Sequence, residues 1–213
     1  MKIRIVLSLI VVCLVQTGFA QSPVVRKLSK ADLAARAVAY KGRVVNSLSW
    51  ADNNGENLII LTQTNLVVNK DEDDRRDQEL YAYHYANKNG ATYQLLRKIY
   101  DFTKGCPVDI TLQHVAQSLT VTDLDKNGYA EVTFLYTNGC RGDVSNDELK
   151  LMMLENGQKY AIRGTTMLYR NGEPVEGYNE GASKTVDVAF NKAPTVLLNY
   201  ANKQWNKFKI VNM

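Results

Sequence analysis

Apolar and polar positions alternate in short runs between residues 43 and 165, and turn-forming residues punctuate them, which predicts antiparallel strands of modest length. Residues 43–50 have strand character, and a turn cluster over 51–57 separates them from the β-rich run 58–62. A polar connector, 69–78, leads to a strand over 80–85. Asn89-Gly90, the dipeptide of tight hairpins, and a closing strand over 92–99 follow. The pattern then recurs. A strand over 114–122 runs into a polar loop, then a strand over 130–137, a connector over 138–146, a strand over 149–154, Asn156-Gly157 and a closing strand over 159–164. Laid on each other, Asp52, Asn54 and Gly55 match Asp125, Asn127 and Gly128, and Glu79-Leu80 matches Glu148-Leu149. Each copy, about 43–100 and about 113–165, predicts a four-stranded antiparallel meander, one unit repeated about 70 residues on.

Helical patterning is confined to the flanks. Ser29 is a cap for the Ala- and Leu-rich residues 30–40, with Gly42 as the stop. Pro194 opens a second helix over about 194–208, whose apolar positions include Val196, Leu197, Tyr200, Trp205 and Phe208. Between the second meander and that helix, residues 169–174 read as one more hairpin turn and 177–183 as a polar segment. The expected fold is mainly β: two four-stranded antiparallel meanders, propeller-blade-like, packed face to face as a sandwich, with a helix near each terminus. Two blades are too few to close a propeller, which takes about 4–8.

The N-terminus changes the compartment. Lys2 and Arg4 precede an apolar run over 5–15, and Gly18-Phe19-Ala20 puts small residues at −3 and −1, which predicts a cleavable export signal over 1–20. The run is too short to span a bilayer. Val12 stands where lipid attachment at Cys13 would need a small residue, so lipidation is not expected. Cleavage would leave residues 21–213 as a single β-rich, soluble exported domain without a transmembrane segment. It would also leave 24 Lys+Arg against 22 Asp+Glu, a net +2, which gives no case for nucleic-acid binding. The two remaining cysteines, Cys106 and Cys140, lie just beyond the ends of the hairpin built on strands 114–122 and 130–137, on the side away from its loop. An exported destination and that topology predict a disulfide between them.

The loop of that hairpin, residues 123–131, is the richest in chemistry. Asp123, Asp125, Asn127 and Glu131 carry oxygens at relative positions 1, 3, 5 and 9. Gly128 allows a sharp turn at 6, and the Tyr129 carbonyl can add a ligand. That set suits Ca2+. The same residues also suit a tight turn whose Asp and Asn side chains bond their own backbone, and both readings stay open. An EF-hand is excluded, because position 12 is Phe134 and the flanks are strands. In the first copy Trp50 and Leu58 replace Asp123 and Glu131, so that loop is a degraded ion site and Trp50 is expected between the sheets. The acidic run 71–77 reads as a solvated connector, Arg141-Gly142-Asp143 as a chance tripeptide, and His84 and His114 as packed strand residues. No catalytic constellation stands out.

The Asp-x-Asp-x-Asn-Gly-x-x-Glu spacing over Asp123–Glu131 resembles the calcium loops of FG-GAP or VCBS repeats, which join two strands of a blade. More widely, four features resemble a group of small exported proteins from Bacteroidota-type bacteria labelled surface polysaccharide biosynthesis proteins. They are Trp50-x-Asp52-x-x-Gly55-x-Asn57, Tyr100-Asp101-Phe102 with Cys106-Pro107-x-Asp109, the 123–131 loop, and Pro194 with Tyr200-Ala201 and Trp205. The resemblance implies a role at the cell envelope connected with surface polysaccharide, and no mechanism. The expectation is a non-enzymatic, calcium-stabilised periplasmic or secreted module that supports polysaccharide assembly or binds glycan. The alternatives are a small envelope glycan hydrolase and a structural module for another envelope protein. An aromatic-lined face would favour glycan binding, and paired carboxylates in a deep cleft would favour hydrolysis.

Overall fold

The computed structural model describes residues 23–213 except Ala91; the expected export signal lies outside the described residues. The described residues are mainly β, with several antiparallel sheets, two α-helices and no closed barrel among them. β1 (Arg26–Lys27) and α1 (Lys30–Ala35) precede β2 (Arg43–Asp52), β3 (Gly55–Gln63), β4 (Val67–Asn69), β5 (Arg75–Asn87) and β6 (Gln94–Cys106). β7 (Asp109–Ile110), β8 (Gln113–His114) and β9 (Thr120–Thr122) lead to β10 (Glu131–Asn138), β11 (Cys140–Arg141), β12 (Glu148–Glu155) and β13 (Gln158–Thr165). β14 (Met167–Arg170), β15 (Glu173–Pro174), β16 (Lys184–Val186), α2 (Thr195–Phe208) and β17 (Ile210–Asn212) complete the chain.

In the first sheet β2, β3, β5 and β6 run as consecutive antiparallel neighbours; β1 lies outside β2, and β4 extends the β3 side of β5. In the second, β9 and β8 both pair with β10, followed by β12, β13 and β16. β11 pairs with β7, and β14 lies between β15 and a parallel β17. Trp50, Ile59, Leu61, Leu80, Ala82 and Ile99 of the first sheet form one apolar cluster with Val132, Phe134, Tyr136, Met152, Leu154 and Ala161 of the second. Because side chains alternate along a strand, the other faces are left to the helices. Leu197, Ala201 and Trp205 of α2 cover Leu135, Leu149, Leu151 and Met153, while Leu33 of α1 joins Tyr81, Tyr83 and Tyr85.

Several boundaries differ from the sequence pattern. The helix expected over 30–40 ends at Ala35. Ser29 caps it as expected, and Asp32 completes a capping box with it. Beyond them the Arg36 guanidinium turns to Glu56 at 2.6 Å, and Ala37 takes a left-handed φ of 49°. The strand expected over 114–122 is two pieces. Between them Gln117 has φ 60°, and the Ser118 hydroxyl accepts the Leu135 N–H at 2.9 Å in place of a ladder carbonyl. The turn over 51–57 shrinks to Asn53-Asn54, with Asp52 paired to Gly55. Cys106 and Cys140 form a disulfide that closes a separation of 34 residues. Among the described residues no helix is long and apolar enough to cross a membrane.

Candidate functional site

The β9–β10 connection places the loop at one end of the second sheet, where Thr122 pairs with Glu131. Asp123, Asp125 and Glu131 converge there, with one oxygen from each within 4.8 Å of the others. Glu131 is fully buried. Its Oε2 accepts the Thr122 hydroxyl at 2.9 Å, and the Leu124 N–H donates to Oε1 at 3.1 Å and Oε2 at 3.0 Å. Asp123 Oδ1 is buried and has no hydrogen-bond partner among the described residues. Asp125 Oδ1 accepts the Asn127 N–H at 3.2 Å.

Asn127 reaches the cluster by its amide nitrogen. That NH2 donates to Asp125 Oδ2 at 3.0 Å and to Glu155 Oε1 at 2.7 Å, while its oxygen accepts the Tyr129 N–H at 2.7 Å. Glu155 was not legible as part of this group. The β10–β12 register sets it directly opposite Glu131, and its only mark in the sequence is its place before the Asn156-Gly157 turn. Burial pushes both glutamates up. Glu131 rises to about 7, against the Leu124 and Thr122 hydrogen bonds that favour its charge; Glu155 is raised further by Asp125 and Asp123. Among the described residues no ion pair involves Asp123, Asp125, Glu131 or Glu155. Four clustered carboxylates without a cation are mutually unfavourable.

The degraded first-copy loop packs against this one. The Asn53 N–H donates to the Gly128 carbonyl at 2.9 Å, and the Ala130 N–H donates to Asp52 Oδ2 at 3.0 Å. Gly128 has φ 80°, and a Cβ on it would lie 2.3 Å from Asn53 Nδ2, so any other residue there is strained and pushes the Asn53 side chain aside. Asp52 is itself fully used as an acceptor, by the Asn54 N–H and the Asn57 amide at 2.7 Å and the Trp50 indole at 3.1 Å. That loop is a turn and a buttress.

In metal-free protein Glu131 makes stability depend on pH. The Glu131 carboxyl is held near 7 against an ordinary 4.5, so folding favours its protonated form and stability falls as pH rises from about 4.5 to 7. Glu131→Gln has no charge to bury. In EDTA it should gain on the wild type by about 2–3 kcal/mol across that interval and match its slope below it. Urea titrations at pH 4.5 and 7.5 measure this, and parallel behaviour of the two proteins would count against a charge-burying Glu131.

The histidines are structural. Burial pushes His84 and His114 down to about 4, so both are neutral at pH 7. His84 Nε2 lies 3.1 Å from Asn57 Oδ1, and its ring is 5.4 Å from that of Trp50. Arg141 pairs with Asp147 at 2.7 Å and also donates to the Asp143 carbonyl, so its tripeptide is engaged within the protein.

On the outer face of the first sheet lies an aromatic ladder assembled only by the pairing of β5 with β6. Tyr81, Tyr83 and Tyr85 alternate on β5, and Tyr100 and Phe102 on β6. Ring centroids are 5.0 Å apart for Tyr81–Tyr100 and 5.4 Å for Tyr100–Phe102. Lys98 stands 5.0 Å above Tyr81 and Lys104 5.4 Å above Phe102. Tyr100 and Phe102 remain 44% and 45% exposed. Glu79 accepts hydrogen bonds from the Tyr81 and Tyr100 hydroxyls at 2.9 and 3.1 Å. Its period-two aromatic spacing was the available signal. Comparison with protein-family models, curated proteins and solved structures finds no match to this chain.

Proposed function

We propose that this chain is an exported, non-enzymatic envelope module, stabilised by calcium at the Asp123 loop, that binds surface glycan along its aromatic face. The observation that carries the ion is the carboxylate cluster with a buried, unpartnered Asp123 oxygen. An all-oxygen donor set suits a hard cation. Asp123, Asp125 and Glu131 would hold it, with the Tyr129 carbonyl and, once its amide turns over to present oxygen in place of NH2, Asn127 as the remaining ligands, and its charge would offset their repulsion. The disulfide supports an oxidising destination. The strand order, in which consecutive antiparallel strands of each copy share one sheet, supports two blade-like meanders packed as a sandwich.

Glycan binding rests on exposed Tyr100 and Phe102 beside Lys98 and Lys104, since aromatic faces stack on the apolar faces of sugar rings. Hydrolysis fits less well. Glu131 has the raised pKa of a general acid, but it is fully buried and both its oxygens accept hydrogen bonds.

Thermal melts in EDTA and in calcium test the ion. At 100 times its dissociation constant calcium contributes about 2.7 kcal/mol, a rise of about 5–10 °C for a domain of this size. Asp125→Ala should abolish the rise. A wild-type midpoint indifferent to calcium reduces the loop to a turn and removes calcium from the proposal.

A further inference from the structure

A second feature lies between the sheets, at their β6 edge. Alternation on β6 turns Arg97 and Asp101 to the same side as the core residue Ile99. On the facing sheet Lys150 shares its side with Met152 and Leu154, and Lys159 and Arg163 share theirs with Ala161. Inward positions that are apolar elsewhere are thus charged here, and they line a cavity of about 330 Å3 together with Tyr136.

The charges do not cancel. Five cationic residues line it, Lys98 from the outer face and Arg97, Lys150, Lys159 and Arg163 from inward positions, against one lining carboxylate, Asp101, which holds Lys150 at 2.6 Å. Glu148 also reaches Lys150 at 3.1 Å, and Asp187 touches Arg163 at 3.6 Å. Arg97 is tied to the Gly157 carbonyl, with Nε at 2.8 Å. Lys159, half-buried, has no hydrogen-bond or ion-pair partner among the described residues. Desolvating ammonium and guanidinium groups without counter-charge is costly, and an oxyanion would supply it. The guanidinium fork of Arg163 matches a carboxylate or phosphate in two-point geometry. Tyr100 lines the same cavity while its ring belongs to the outer aromatic ladder, so one edge strand carries both surfaces.

We propose that this cleft binds the oxyanion of an acidic sugar residue, a carboxylate or phosphate, in a glycan whose neighbouring rings stack on Tyr100 and Phe102. The inference rests on the glycan-binding reading above and names its ligand class.

Calorimetric titration of the full-length protein with three probes tests it: an oligogalacturonate, a neutral oligosaccharide of equal length, and inorganic phosphate. The oligogalacturonate should bind at least tenfold more tightly than the neutral sugar, lose affinity as salt rises, and compete with phosphate. Lys159→Gln and Arg163→Gln should each weaken it about tenfold, with neutral-sugar affinity and melting temperature unchanged. Equal affinity for both sugars, indifferent to the two variants, overturns the acidic cleft and leaves the glycan module standing. Binding of neither sugar overturns both. If the variants instead raise self-association while binding is unaltered, the charges guard an edge strand and the inference fails.

Discussion

Replacing Cys106 and Cys140 together by alanine should lower the unfolding free energy by about 4 kcal/mol, the loop-closure entropy expected for a separation of 34 residues. The location adds to the effect. Cys106 ends β6, an edge strand of the first sheet, and Cys140 opens β11, just after β10, an inner strand of the second. The bridge therefore ties the two sheets at the end opposite the Asp123 loop. Cys106 is 2% exposed while Cys140 is exposed, so a reductant meets the bridge from the Cys140 side. Urea titrations of the oxidised wild type and the double variant measure the difference directly. A loss under about 1 kcal/mol would mean that the unfolded chain is already compact around this segment.

Trp50→Ala should cost about 3–5 kcal/mol, the range for a large aromatic removed from a packed interior. Trp50 is 2% exposed in the layer shared by both sheets, where it meets the His84 ring and donates its indole N–H to Asp52 at 3.1 Å. Its loss opens a cavity and loosens the Asp52 turn that supports Ala130 and the neighbouring loop. Trp50→Asp, which restores the residue found at position 123 of the second copy, separates two accounts of the repeat. Burying a carboxylate there should destabilise at least as much as alanine, with no added calcium response. A second calcium-dependent rise in that variant's melting temperature would show that the first loop retains an ion site.

Much of the fold was legible because it is local. Asn156-Gly157 sits at a hairpin between strands whose pattern alternates, and 169–174 likewise forms a hairpin. Ser29 marked a helix start, and Pro194 marked another. What misled was the extent of elements. The Ala-rich stretch after Ser29 is helical by propensity for longer than six residues. Tertiary contacts overrule it: the Tyr85 hydroxyl takes the Ala39 carbonyl at 2.5 Å, and the Lys41 N–H donates to the Tyr83 hydroxyl at 3.1 Å. Those contacts hold 38–41 against the sheet as a non-helical segment.

For the candidate sites the division is clearer. Spacing in the chain by itself singled out Asp123, Asp125 and Glu131, because a nine-residue loop between two paired strands brings its own ends together. The cysteine pairing followed from the same hairpin. Glu155, the aromatic ladder and the charged cleft were decided only in three dimensions. Glu155 joins the loop through cross-strand register. Arg97, Lys150 and Arg163 meet because two sheets separated in sequence turn their inner faces together. A chain encodes neighbours within a turn or hairpin directly in its spacing, but which strand faces which is a property of the packed layers.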